Sequence, residues 1–451
     1  MPSRYCVIGY AERHVSMKKN TTRFAAVMGL AVVPALALAG CSGGDDGNGG
    51  GGSGDDNTLT VWAWDPAFNI YSLQEAEKIY QKDHPDFKLD IIETPWEDLQ
   101  AKLTTIGQAQ QTDELPDFFL MQNNAFQKNL TNYPDLFTDF SGSDIDFSQF
   151  PEGVTAYSTL DGTNWGVPFD NGTAVTALRT DVLEEAGLTV DDFTDITWSQ
   201  WIENAKVVLE KTGQPLLSGI AGEADIPVML LQSAGESLFD ADGDPTIADN
   251  EALKDVIGVY KELVDSGVLT EVNSWDEYIG TLVNSNVAGT INGIWIIGSI
   301  QGAEDQSGKW AITNLPKLDD VAGATNYSAN GGSSWALSST GNAELAEDFL
   351  GATFAGSTEF YDTILQQAGA VANWTPAAGS DVYAEPNEFF GGDPIFQKVV
   401  EYGAQVPSNN TGVYYYEGRD AVSTAITKVI GGEDIDAALD EAQKNVEFAM
   451  G

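Results

Sequence analysis

Thr58-Leu59-Thr60-Val61-Trp62-Ala63-Trp64 is a run of β-branched, aromatic and small apolar residues, the composition of a strand. A helix is predicted from about Ser72 to Lys82, because Leu73, Ala76, Ile79 and Tyr80 recur on one face. Phe87 to Ile92 reads as a second strand, Trp96 to Leu103 as a helical stretch, and Asp117-Phe118-Phe119-Leu120-Met121 as a buried strand. Strand, helix, strand, helix, strand at this spacing predicts a parallel sheet with helices on its faces, and so an α/β fold. The alternation recurs, with strands at Thr173 to Leu178 and Ala288 to Ile291 and helices at Trp198 to Lys211 and Leu253 to Ser266. Two sheets are therefore expected. The C-terminal part, Ala343 to Phe354 and Arg419 to Phe448, reads as mainly helical.

Upstream of this globule, Met17-Lys18-Lys19-Asn20-Thr21-Thr22-Arg23 is a basic segment followed by an apolar run from Phe24 to Ala39, the pattern of a secretory signal. The run is shorter than the ~20 residues a membrane-spanning helix needs. Leu38-Ala39-Gly40-Cys41 looks like a bacterial lipobox, which would make Cys41 the lipidated first residue of the exported chain. Residues 1–16 resemble no signal, so Met17 is the expected start, and residues 1–40 are expected to be removed. Residues 41–57 then form a Gly- and Asp-rich tether without apolar side chains.

The chain of 451 residues has 21 Lys+Arg against 68 Asp+Glu, a formal charge of −47. Cutting residues 1–40 removes five basic residues and one acidic one, which leaves 411 residues with 16 basic and 67 acidic, a charge of −51. A surface this negative repels phosphate backbones and anionic headgroups, so nucleic acid is excluded as a partner, and any membrane attachment falls to the lipid. After the cut Cys41 is the remaining cysteine and His84 the remaining histidine, which excludes disulfides and multi-histidine zinc sites. No cofactor is called for.

Several stretches, in order, resemble the extracellular solute-binding proteins of ABC sugar importers, the maltose-binding-protein-like family. They are Leu59 to Trp64, Leu115-Pro116-Asp117-Phe118-Phe119, Asn164-Trp165-Gly166-Val167-Pro168-Phe169, Ala288-Gly289-Thr290-Ile291-Asn292-Gly293-Ile294-Trp295, and Trp335-Ala336-Leu337-Ser338 with the helix after it. The resemblance implies a type II periplasmic-binding-protein fold, with two α/β lobes, a hinge and a ligand cleft between them. It places lobe one at residues 58–168 and 288–338, and lobe two at 169–287 and 339–451. It implies a non-enzymatic, monomeric receptor that captures a neutral oligosaccharide by lobe closure and delivers it to a membrane permease. It also implies a location on the outer face of the cytoplasmic membrane. A secreted carbohydrate-active enzyme or a surface glycan adhesin is the alternative.

A neutral sugar has apolar ring faces and many hydroxyls, so its site needs aromatic platforms with carboxylates and amides around them. By resemblance Trp295 is the stacking tryptophan and Tyr415 a stacking aromatic. Trp64 and Asp65 follow the first strand, and Gln122 and Asn123 the third, where α/β folds put ligand contacts at carboxyl ends of strands. Packing for Trp64 and turn capping for the amides are the competing explanations. Asp170 and Asn171 fall where the chain would cross between lobes, and Trp96, Ser333 and Trp374 complete the candidates. Asp240-Ala241-Asp242-Gly243-Asp244 with Glu251 mimics a calcium loop, but Pro245 stands where such a loop needs glycine. No metal is therefore expected there.

Overall fold

The computed structural model describes residues 57–451 except Ala241, Ser408 and Asn410. The expected signal, Cys41 and nearly all of the tether lie outside the described residues. The chain begins with β1 (Thr58–Ala63), α1 (Tyr71–Tyr80), β2 (Lys88–Glu93), α2 (Trp96–Ala109), β3 (Phe118–Gln122) and, after a stretch of short elements, β4 (Val167–Asp170). β1 pairs in parallel with β2, Thr58 opposite Lys88, and with β3, Val61 opposite Phe118. Leu59, Val61 and Ala63 face one apolar cluster, while Trp62 faces another on the opposite side. Burial on both faces is what a parallel sheet covered by helices requires, and it explains why these strands read as near-continuous apolar runs.

After Asp170 the chain crosses to a second sheet. β5 (Ala174–Arg179) is its centre, followed by α3 (Trp198–Thr212), β6 (Leu217–Ile220), α4 (Asp225–Ser233), α5 (Glu251–Asp265), β7 (Leu269–Val272), α6 (Trp275–Val283), β8 (Gly289–Gly293) and β9 (Trp310–Thr313). β8 and β9 flank β5, both antiparallel, while β6 and β7 pair in parallel as a separate two-stranded sheet on the same side of the molecule. The chain then returns: β10 (Ser333–Ser338) pairs antiparallel with both β3 and β4 in the first sheet. α7 (Ala343–Ala352) and α8 (Thr358–Ala368) pack there too, Phe349 and Ile364 joining Phe118 and Trp335 in one cluster. The last helices, α9 (Tyr415–Ile430) and α10 (Ile435–Met450), bury Val422, Ile426, Leu439 and Val446 against the second sheet's helices.

This arrangement corrects the division expected from the resemblance. Residues 289–313 belong with the second sheet through their ladders to β5, and residues 343–368 cover the first. Neither error was avoidable by periodicity. An apolar strand or helix stripe says that it is buried, but carries no mark of which sheet it is buried against.

The first crossing and the first return lie back to back. Thr173 bridges Ala329, and the Asn330 amide donates to the Gly172 carbonyl at 2.8 Å. Gly172 has φ +64, and a Cβ there would come within 2.1 Å of the Asn330 carbonyl oxygen, so only glycine fits. No helix among the described residues is long and apolar enough to cross a membrane.

Candidate functional site

Where the two sheets face each other, two concavities adjoin. One lies at the carboxyl ends of β6 and β8 and is walled by Glu223, Asp225, Trp275, Tyr278 and Asn292. The other lies at the crossings and is walled by Asn123, Asn124, Tyr157, Asn171, Asn330 and Tyr415. Asn330 joins them. Its side-chain amide donates to Asn292 Oδ1 at 2.9 Å, and its carbonyl accepts from Trp295 Nε1 at 3.0 Å. Trp295 in turn lies against Trp275, ring centroids 5.8 Å apart and inclined at 42°. Trp295 touches the apolar clusters of both sheets, and Trp275 is 38% exposed, so the pair offers ring surface at the cleft.

On the first-sheet side Trp64 and Trp96 pack at 5.2 Å, and Trp96 lies 6.3 Å from Tyr416. The Tyr416 hydroxyl donates to Gln122 Oε1 at 2.6 Å. Tyr416 meets Tyr415 edge to face at 5.3 Å. These aromatics run from Trp64, which lines neither concavity, to the pocket at Tyr415. Trp96 is 7% exposed and opens α2 inside an apolar cluster, which makes it a support for Trp64 rather than an open platform.

The candidate polar residues divide. Asn123, Asn171 and Tyr415 line the crossing pocket. Asn123 Oδ1 is already held by the Ser334 hydroxyl at 2.8 Å, and Asn171 Oδ1 accepts from Thr173 Oγ1 at 3.1 Å. Asp65 Oδ1 accepts from the amides of Ala67 and Phe68, capping a helical turn, and Asp65 lines neither pocket. That oxygen is spent on a helix cap. Asp170 and Ser333 lie buried beneath the crossings, the Ser333 hydroxyl donating to the Asp170 carboxylate. Burial pushes the Asp170 carboxyl up to about 6, against the opposing pull of Ser333 and the Gly172 amide. Trp374 packs, partly exposed, on the first-sheet cluster and lines neither pocket. Asp240 Oδ1 accepts from the amides of Asp242 and Asp244, so that carboxylate closes its own turn.

Sequence reasoning missed Glu223, Asp225, Trp275, Tyr278, Asn330 and Arg419. Arg419 ion-pairs with Asp225 on the pocket wall, and that neighbour holds the guanidinium charged. Its signal was available: in a chain so poor in basic residues, an arginine four positions after Tyr415 lies on the same helix face. Glu223 had no signal, being one carboxylate among many.

Residues 75–391 match the family of bacterial extracellular solute-binding proteins. A lactose-binding protein of Rhizobium radiobacter is 35% identical over 382 residues, covering 84% of this chain and 90% of that one. An arabinooligosaccharide-binding protein of Bacillus subtilis (strain 168) is 24% identical over 358 residues, 76% of this chain and 77% of its own. Among solved structures, an ABC-transporter-associated binding protein from B. animalis subsp. lactis, in complex with β-1,6-galactobiose, superposes with a TM-score of 0.72. It is 19% identical and covers 87% of this chain and 96% of its own. The GacH receptor of Streptomyces glaucescens superposes at 0.70, with 18% identity over 87% and 97%. The fold is thus that of the type II periplasmic binding proteins. The chain belongs to the bacterial extracellular solute-binding proteins, the exported substrate-binding components of ABC transporters, and is a receptor rather than an enzyme.

Proposed function

We propose that the cleft between the two sheets captures a short neutral oligosaccharide, with lactose and related galactosides as the first ligands to test, and passes it to a membrane permease. The observation that carries this reading is the Trp275–Trp295 pair at the cleft, flanked by amides from Asn123, Asn171, Asn292 and Asn330. Flat ring faces match the C–H faces of a pyranose, and amides serve hydroxyls as donor and acceptor together. Arg419, the cation on this wall, is occupied by Asp225, which argues against an anionic solute. The lactose-binding relative supports the galactoside class.

The contact set on this reading is Trp275, Trp295, Asn123, Asn171 and Tyr415, with Trp64 beside them and Gln122, Trp96, Asp170 and Ser333 holding them in place. We further propose that a diacylglyceryl group on Cys41 tethers a monomer to the outer face of the cytoplasmic membrane. Lobe closure is the transport signal: the sugar must favour the closed form over the open one.

Calorimetric titration with lactose, β-1,6-galactobiose, arabino-oligosaccharides and maltose tests the reading. A dissociation constant in the micromolar range or below for one of them is expected, and heatless titrations throughout would overturn it. Trp295→Ala should weaken that affinity by about 1–3 kcal/mol.

A further inference from the structure

Most of the polar side chains around the β6–β8 pocket are committed to partners within the protein. The Tyr278 hydroxyl bonds Thr290 and accepts from Asn292 Nδ2 at 3.0 Å. Asn292 Oδ1 accepts from the Gly293 amide at 2.8 Å and from Asn330 at 2.9 Å. Ser218 bonds Thr281 at 2.7 Å, and Asp225 is held by Arg419 and by Asn330 at 3.4 Å. Glu223, half-buried on the turn after β6, has a carboxylate with no hydrogen-bond or ion-pair partner among the described residues. An acceptor left open in a pocket whose other carboxylate and amide are already paired is held ready for donors that come from outside.

We propose that Glu223 is a specificity-determining residue whose carboxylate accepts hydrogens from two neighbouring hydroxyls of one sugar ring laid against Trp275. This deepens the oligosaccharide reading and rests on it. A carboxylate is acceptor-only and binds two donors at once, so it takes two adjacent hydroxyls and rejects rings that lack either.

The charges around Glu223 make this contact sensitive to pH. Asp225 from its own turn and Glu97 from α2 face it as like charges, Arg419 from α9 opposes them, and Tyr260 and Tyr278 lie in the pocket as neutral phenols. Burial first, and then Asp225, push the Glu223 carboxyl up to about 7. Hydroxyl donors favour the ionised form, so the sugar must displace a proton wherever Glu223 carries one. Affinity is therefore full above about pH 8 and falls as pH drops through 7, about tenfold for each unit by which the sugar lowers the carboxyl's pKa.

The experiment titrates wild type and Glu223→Gln with lactose and β-1,6-galactobiose at pH 8 and pH 5.5, in buffers of different ionisation enthalpy to count protons. Wild type should bind more weakly at pH 5.5 and release protons at pH 7. Glu223→Gln, with an unchanged Tm, should bind at least about tenfold more weakly at pH 8, show little pH dependence and release none. Equal affinity of the two proteins, or a pH profile that survives the substitution, overturns the proposal while leaving the sugar reading intact. Failure of the wild type to bind either sugar at both pH values removes the galactoside reading and this proposal with it.

Discussion

The two walls of the cleft carry the same ingredients but differ in how those ingredients are used. On the first-sheet wall nearly every notable side chain is employed by the protein itself. Trp96 is packed, Asp65 caps a turn, Gln122 accepts from Tyr416 and Asn123 from Ser334. On the second-sheet wall Trp275 remains partly exposed and Glu223 remains open. A tryptophan or carboxylate at a strand end is therefore weak evidence of a ligand contact. The stronger evidence is a group the fold leaves unspent.

Three substitutions would break or sharpen that contrast. The largest effect belongs to Trp335, fully buried among Phe118, Phe169 and Phe354. Trp335→Ala should cost about 3–5 kcal/mol of stability, read as a fall in the denaturant midpoint. A variant as stable as wild type would mean the first-sheet core is not packed as described. Trp275→Ala should do the reverse: its Tm should stay close to the parent's, while sugar affinity weakens by about 1–3 kcal/mol in calorimetry. If stability dropped and affinity did not, the second-sheet wall would be as self-employed as the first. The smallest effect is expected at Asp65→Ala, which removes a cap worth about 1 kcal/mol to the turn at Pro66–Ile70. Thermal melting checks the loss, and a large loss of sugar binding alongside it would restore Asp65 to the site.

Much of the fold was legible because β1, α1, β2, α2 and β3 announce themselves by local periodicity at close spacing. The assignment of β8, β9, α7 and α8 to sheets was not, because a strand such as Gly289–Gly293 pairs with whatever the distant chain brings beside it. The same divide runs through the site. Asn123, Asn171, Trp295 and Tyr415 were readable from strand ends and from the resemblance, and they do gather at the cleft. Trp275 was hidden because it opens a helix rather than ending a strand. Glu223 was hidden because its distinction is the absence of a partner, a property of three-dimensional surroundings that no residue type or spacing encodes. Asp65 shows the converse, since a residue in the expected place had already been claimed by its own backbone.

The close passage of Gly172 against Asn330 has a mechanical consequence. Two chain segments that touch carbonyl to α-carbon act as one bearing, whose thickness is set by the space a methyl group would need and does not have. Any side chain at Gly172 would act as a shim, prising the segments apart and tilting one half of the molecule against the other. The resting aperture of the cleft is in this sense gauged far from any sugar contact, by a single missing carbon.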